Sequence, residues 1–292
     1  MYVKICFIGA GKVGTSFGLY LSRKGFDVIG YYSKSFESAK KAAYLTNSIA
    51  YKRLSPMIKL SDIIFITTND DAIKSVVNQL SQENILNKGQ ILVHMSGSHS
   101  SSILNSVMNF GCYIYSMHPL QSFADIENSV KKLESTVFTI EGNIEKINVL
   151  EWILKKSGNK YFKIDSNFKS IYHAGACVIS NYLVTLMDFG FSFFNSIGID
   201  EKSAFEAVYP LIEGTIENIK TLGCKNALTG PISRGDSNTI ENHLDSIKVN
   251  IPDKLSFYKA MALMTLDLSS KVPSRDKEKI ETLKNILQGV DE

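Results

Sequence analysis

The chain has 292 residues, 44% hydrophobic and 21% charged, enough for two ordinary domains with proper cores. Its net charge is only +3 and its Lys and Arg are spread without a basic block, which argues against a nucleic-acid partner. Cys6, Cys112, Cys177 and Cys224 stand apart with no C-x-x-C pair, so neither a zinc site nor a disulfide framework is expected, and a reducing compartment fits.

From Met1 the chain runs straight into an apolar strand, without the charged region and long apolar stretch of a secretory signal. Short apolar runs then alternate with amphipathic helical stretches as far as Asp165, the mark of an α/β domain built on a mostly parallel sheet. Strands are expected at Val3–Gly9, Val28–Tyr32, Ile63–Thr67, Ile91–Met95, Tyr113–Met117, Val137–Ile140 and Tyr161–Ile164. Helices are expected at Val13–Lys24, Ser35–Leu45, Asp71–Leu80, Ser101–Met108 and Ile144–Ser157.

Strand signals stop after Asn167. Lys169–Ser196, Glu201–Leu222, Ile251–Leu268 and Ser274–Leu287 read as helices. The chain therefore divides into an α/β domain of Rossmann type, residues 1–165, and an all-helical domain, residues 166–292. Within the second, Val178–Phe194 is broken by Ser180, Asn181, Thr185 and Asp188. It reads as a buried helix too polar to span a bilayer, and a cytoplasmic location without a membrane partner is expected.

The first strand leads directly into Gly9-Ala10-Gly11-Lys12-Val13-Gly14. A G-x-G-x-x-G pattern alone is weak, but here it closes a strand and opens a helix, which is the confirming context. Gly9 permits the tight turn, Gly11 lets a pyrophosphate approach the backbone, and Gly14 lets helix and strand pack closely. The helix start offers free N–H groups and partial positive charge to phosphates.

The next strand ends Gly30-Tyr31-Tyr32-Ser33-Lys34-Ser35, with none of the acid that an NAD site places there. Ser33, Lys34 and Ser35 suit the 2′-phosphate of NADP, so NADP is favoured over NAD; either serine can also cap the following helix. Thr68 and Asn69 fall at the carboxyl edge of a neighbouring strand and are expected to touch the cofactor. Asp70 or Asp71 is expected to cap the helix that follows.

Among the five histidines, His94 and His118 approach the same edge, while His99 and His243 sit in polar surroundings. His173 lies early on the long helix beside the small residues Ala174, Gly175 and Ala176. At about 100° per residue, Cys177 and Ser180 share its face and Asn181 flanks it. Histidine ordinarily titrates near neutrality, so His173 is a candidate general acid for a carbonyl or imine receiving a hydride. Packing is its alternative role. Asn181 would orient substrate or nicotinamide, or else bond neighbouring helices. His118, Gln121 and Arg234 are candidates for the substrate side. Arg234 lies in Leu228-Thr229-Gly230-Pro231-Ile232-Ser233-Arg234-Gly235-Asp236, which reads as a loop. It is suited to clamp a carboxylate, or to pair internally with Asp236.

The segments F-I-G-A-G-K-V-G-T, Y-Y-S-K-S, H-P-L-Q-S-F, Y-H-A-G-A-C-V-I-S-N-Y-L and T-G-P-I-S-R-G-D occur in this order along nearly the whole chain. Together they resemble a bacterial group of Rossmann-like oxidoreductases with a helical C-terminal domain of unknown function. That group is related to pyrroline-5-carboxylate reductase and the 6-phosphogluconate dehydrogenase superfamily. The resemblance implies an NADP-binding domain, a helical domain that pairs subunits into a homodimer, and an active cleft between the two. It also sets Thr229–Asp236 in a place similar to the Pro-Gly-Gly-Thr-Thr loop of pyrroline-5-carboxylate reductases, which lies at substrate. This chain lacks that motif, and His173 stands where a K-x-x-x-N pair would put Asn after Lys169. No substrate carries over from either relative.

The expected activity is hydride transfer between nicotinamide and a small carbonyl, imine or alcohol, with no metal. A prephenate-type oxidative decarboxylation and a non-catalytic sensor of NADP(H) are the alternatives.

Overall fold

Along β1 (Lys4–Ile8) the side chains alternate between two cores. Ile5 and Phe7 enter one cluster and Cys6 and Ile8 the other. A strand buried on both faces needs an unbroken apolar run, and that is how a parallel sheet covered by helices on each side writes itself into sequence. The computed structural model describes residues 2–273 and 275–289.

After β1 come α1 (Lys12–Arg23), β2 (Asp27–Tyr32), α2 (Phe36–Thr46), β3 (Ile49–Tyr51), α3 (Leu54–Leu60), β4 (Ile63–Ile66), α4 (Asp70–Gln82) and β5 (Ile91–His94). A 3-10 helix at Ser101–Phe110 leads to β6 (Tyr113–Pro119), α5 (Ile126–Leu133), β7 (Phe138–Gly142), α6 (Ile147–Ser157) and β8 (Tyr161–Lys163). The eight strands form one sheet in the order β3-β2-β1-β4-β5-β6-β7-β8. Strands from β3 to β6 run parallel, and β7 pairs antiparallel with β6 and parallel with β8. This is the mostly parallel Rossmann-type sheet expected.

Three elements of this sheet region were not anticipated. β3 has three residues, too few for an alternation signal, and α3 follows it at once. α5 lies in a polar stretch, with only Ser129, Val130 and Leu133 buried. The helix expected at Ser101–Met108 is a 3-10 helix reaching Phe110. Its opening serines bond elsewhere, Ser100 Oγ to Ser102 Oγ at 2.6 Å and Ser101 Oγ to Glu141 at 2.7 Å.

The long helix α7 covers Lys169–Ser196, as the periodicity predicted. The chain divides into two compact units inside it, Met1–Asn181 and Tyr182–Glu292. Sheet gives way to helix near the expected boundary at Asp165, but the unit built on the sheet keeps the first turns of α7.

The second unit continues with α8 (Glu201–Ala227), α9 (Pro231–Arg234), α10 (Ser237–Asn250), a 3-10 turn (Pro252–Lys254), α11 (Leu255–Ser270) and α12 (Lys277–Gln288). Ile240, Leu244, Ala262, Leu266, Leu283 and Leu287 make its core. Asp200, Asp236 and Asp276 cap α8, α10 and α12 with their carboxylates, each satisfying backbone donors that have no partner inside the helix. α8 outruns the expected Leu222 by way of a break at Gly223, whose φ is +73°. The expected loop at Leu228–Asp236 contains the single turn α9, and α10 was not anticipated. Of the helix expected at Ser274–Leu287, Ser274 lies outside the described residues.

The expectation of a buried helix at Val178–Phe194 is overturned. The Val178–Phe194 stretch is not buried within the chain: Ile179 is 77% exposed and Val184 71%. By length and composition alone, Ser166–Ser196 is apolar enough to cross a membrane, and only 6% of its most apolar window is buried. The four polar interruptions do not lower its hydropathy enough to exclude that, and the apolar side chains around them find little cover inside the chain.

Candidate functional site

The cofactor cradle begins at the turn between β1 and α1. Gly9 has φ +108°, and a Cβ there would stand 2.7 Å from the Thr67 carbonyl carbon. A Cβ at Gly14 would collide with Thr67 Oγ1 and the Gly9 carbonyl. Gly11 is different: nothing lies within 4 Å of its Cβ position. So Gly9 and Gly14 are fixed by packing, whereas Gly11 faces open space, as a backbone that admits a pyrophosphate must.

That space is a cavity of about 360 Å³ lined by Gly11, Lys12, Val13, Thr68, Asn69 and Ser96, among others. The Thr68 hydroxyl is buried there without a hydrogen-bond partner. Ala10 is packed against the larger core cluster. An open glycine and an unpartnered hydroxyl in one cavity fit a dinucleotide.

At the far end of the cradle, Ser35 Oγ accepts from the Ser38 N–H at 3.3 Å and so caps α2. Ser33 is half-buried and Lys34 exposed. Two further cations arrive through the sheet. Tyr51 of β3 lies opposite Tyr32 of β2, so Lys52 and Arg53 leave β3 where Ser33 and Lys34 leave β2. Lys52 Nζ lies 5.3 Å from the Phe36 ring and Lys40 Nζ 5.0 Å from it. Sequence reasoning missed Lys52 and Arg53 because the strand that delivers them was too short to read.

Asp70 is corrected. Asn69 is the N-cap residue of α4 and makes no side-chain cap bond. The Asp70 carboxylate reaches instead across the carboxyl edge of the sheet, accepting from Ser96 Oγ at 2.7 Å and Ser98 Oγ at 2.9 Å. Adjacent strands β4 and β5 bring these loops together, which no spacing in the sequence announces.

Beyond Ser96 the chain reaches Gly97, and here the imidazoles converge. A Cβ on Gly97 would stand 2.8 Å from His118 Nε2 and closer still to the His173 ring. The two rings are edge to face with centroids 6.0 Å apart. His118 Nδ1 is 2.8 Å from Tyr172 Oη. Burial pushes the phenol's pKa up, so the phenol keeps its proton, and with Nδ1 engaged by Tyr172 it is Nε2 of His118 that faces Gly97. Burial also pushes His118 down to about 3. His173 is half-buried, with Cys177 Sγ 3.8 Å from its ring nitrogens.

Lys169, one turn before His173, is a functional candidate the sequence did not yield. It is 1% exposed, and its Nζ donates to Ser116 Oγ at 2.7 Å. Burial lowers its pKa to about 8, against the opposing pull of Glu141 and Asp70. Glu141 lies opposite Ser116 through the reversed strand β7. It is buried, and its carboxylate accepts from Ser101 N–H at 2.6 Å and Ser101 Oγ at 2.7 Å.

Several of the other candidates have partners of their own. His94 is fully buried in β5, where Nδ1 accepts from Ser96 N–H at 3.2 Å, and burial pushes its pKa down to about 4. Gln121 is tied at both ends, donating to the Ser129 carbonyl at 3.0 Å and accepting from Thr136 Oγ1. Asn181 is exposed, eight residues beyond His173, about 12 Å along the helix axis. Arg234, in the second unit, makes no ion pair with Asp236, whose carboxylate accepts from Thr239 N–H and Oγ1 at 3.1 and 2.7 Å. His99 is half-buried. His243 is exposed and bonded to Tyr258 Oη at 2.8 Å.

The sheet order and the glycine turn define a Rossmann-like protein. Residues 1–119 match the family model of a Rossmann-like domain, and residues 136–265 match that of a domain of unknown function, DUF2520. The chain joins these two domains. No curated protein matches it. Among solved structures it is similar to a Thermotoga maritima protein at 27% identity, covering 91% of this chain and 98% of that one with a TM-score of 0.73. A Bacteroides fragilis protein described as a candidate NADP oxidoreductase is 23% identical, with 94% and 99% coverage and a TM-score of 0.69. An imine reductase from Myxococcus stipitatus, solved with NADP+, is 12% identical, with 96% and 98% coverage and a TM-score of 0.65.

Proposed function

We propose that the protein is an NADP-dependent oxidoreductase acting on a small carbonyl, imine or alcohol. The observation that carries this reading is the adjacency of cradle and imidazoles. Ser96 lines the cavity beside Gly11, and the next residue, Gly97, lies against both His118 and His173. Two fold relatives, named for NADP oxidoreduction and for imine reduction with NADP+, support the same class.

When bound, the nicotinamide supplies or accepts the hydride. The chain supplies position and protons. His118 stays neutral at physiological pH and presents Nε2–H to the substrate's oxygen or nitrogen. His173 is the proton donor for that atom in the reductive direction and the acceptor in the oxidative one. Lys169, still mostly charged at pH 7, favours negative charge developing at the reacting atom. Ser33 and Lys34 hold the 2′-phosphate, with Lys52 and Arg53 beside them. NAD, without that phosphate, is the poorer ligand.

The subunits pair as a homodimer through the apolar side of α7. The same helix carries Lys169 and His173 against the sheet, and Asp188 interrupts it later, which suits a subunit contact better than a lipid phase. The four cysteines are unpaired, which fits the cytoplasm.

The test is a titration of the purified protein with NADPH and NADH followed by nicotinamide fluorescence, repeated with Lys34→Ala. A preference for NADPH that collapses in the variant supports the assignment. Equal affinity for both cofactors sinks the NADP reading, and no binding of either removes the oxidoreductase.

A further inference from the structure

The second unit contains a small cationic pocket that the chain leaves unsatisfied. It lies among α9, the end of α11 and the start of α12, with a volume of about 190 Å³, several times the ~30 Å³ share of one water. Arg234, Arg275 and Lys279 line it against a single carboxylate, Asp276. That carboxylate is already engaged, accepting from the backbone N–H of Glu278 at 3.0 Å and of Lys279 at 3.4 Å. Among the described residues, no ion pair uses any of the three cations. The stem of Lys279 lies beside Gly235, where a Cβ would stand 2.7 Å from Lys279 Cβ.

Two buried polar atoms in the same pocket lack partners. Ser269 is 1% exposed and its Oγ bonds nothing. A serine hydroxyl inside a helix ordinarily turns back to the carbonyl one turn earlier; this one does not. Arg275 Nε is buried and equally unpartnered. Buried donors without acceptors, in a cavity with excess positive charge, call for an anionic acceptor that the chain does not itself contain.

We propose that this pocket binds an oxyanion, the phosphate or carboxylate group of a small molecule. Guanidinium groups meet such oxygens with paired N–H donors, and the charge-assisted bonds are the strong ones. Ser269 Oγ adds a neutral donor at the buried end. The pocket is built wholly from residues 232–280, so it stands whether or not the cofactor reading does.

The test uses the full chain, with sodium phosphate and sodium acetate added separately and ionic strength held constant with chloride. Melting temperature and titration heat are followed. One or both anions are expected to bind and to raise the melting temperature above the chloride control. Arg275→Gln should weaken that binding about tenfold or more. Ser269→Ala should weaken it a few-fold while raising the melting temperature of the ligand-free protein, because a buried hydroxyl without a partner is removed. NADPH titrations on the same samples should be unchanged, which separates failure of this site from failure of the cofactor assignment. Phosphate alone binding marks a phosphate ligand, and acetate alone marks a carboxylate. Neither anion surpassing chloride, or Arg275→Gln binding as tightly as the parent, overturns the proposal.

Discussion

The rings of His118 and His173 come within 6.0 Å of each other, centroid to centroid, over a residue that has no side chain. The first ring arrives on a strand of the sheet and the second on a helix 55 residues later. Gly97, in the loop after β5, leaves the gap that both need.

Gly97→Ala should therefore fold but separate the imidazoles. An added Cβ has no room beside His118 Nε2, 2.8 Å away, and displacements of an ångström at a reacting centre cost about 10²-fold in rate. Turnover should fall by that order while NADPH affinity changes only a few-fold. Parent-like turnover would mean that the two rings are not the acid centre.

Two glycines of the phosphate turn should respond differently to the same change. Gly11→Ala meets nothing within 4 Å, so the melting temperature should hold while NADPH affinity drops. Gly14→Ala drives a methyl into Thr67 Oγ1 and the Gly9 carbonyl and should cost about 1–3 kcal/mol of stability. Thermal melts with and without NADPH distinguish the two.

Arg53→Ala and Lys52→Ala should each weaken NADPH several-fold and leave NADH alone, with a steeper loss in low salt, where exposed charges act furthest. Equal effects on the two cofactors would place these side chains away from the 2′-phosphate.

Stability should fall with acid in a definite window. The unfolded chain takes up protons at histidine near pH 6.5, whereas folded His94 and His118 resist until about 4 and about 3. Their contribution is full above pH 6.5 and is lost as pH falls toward those values, at up to about 1.4 kcal/mol per pH unit for each. Lys169 has the same sign at the other end. Its folded value of about 8 lies under an unfolded value near 10.4, so stability is lost as pH falls between the two. Urea midpoints from pH 4 to 10 measure both limbs, and His118→Asn should flatten the acidic one.

If α7 is a subunit contact, light scattering should give twice the chain mass, and Val184→Lys should halve it. A parent monomer that floats with lipid vesicles would instead favour the membrane.

The glycine turn and the 28 residues of α7 were legible because each is a local pattern: a fixed spacing in one case, an uninterrupted helical stretch in the other. The direction of β7 was not, because composition does not record which way a strand runs. With that direction goes the pairing of Ser116 with Glu141, and with the pairing the surroundings of Lys169. A lysine at a helix start reads as a solvated charge until the sheet beneath it is known. Asp70 looked like a helix cap because capping is local, and its true partners are 26 and 28 residues away. Gly97 carried no signal at all, since what it does is leave room for others.

The hold of Asp70 on Ser96 and Ser98 has a mechanical consequence. Ser96 Oγ also accepts from the backbone N–H of Ser98 and His99, each at 3.2 Å, so the loops after β4 and β5 are laced into one piece. A molecule seated against Asn69 would stiffen the stretch around Gly97 without touching it. Slower amide exchange at Ser98 and His99 would register that occupancy, and breaking the lace with Asp70→Ala would let the two loops breathe apart.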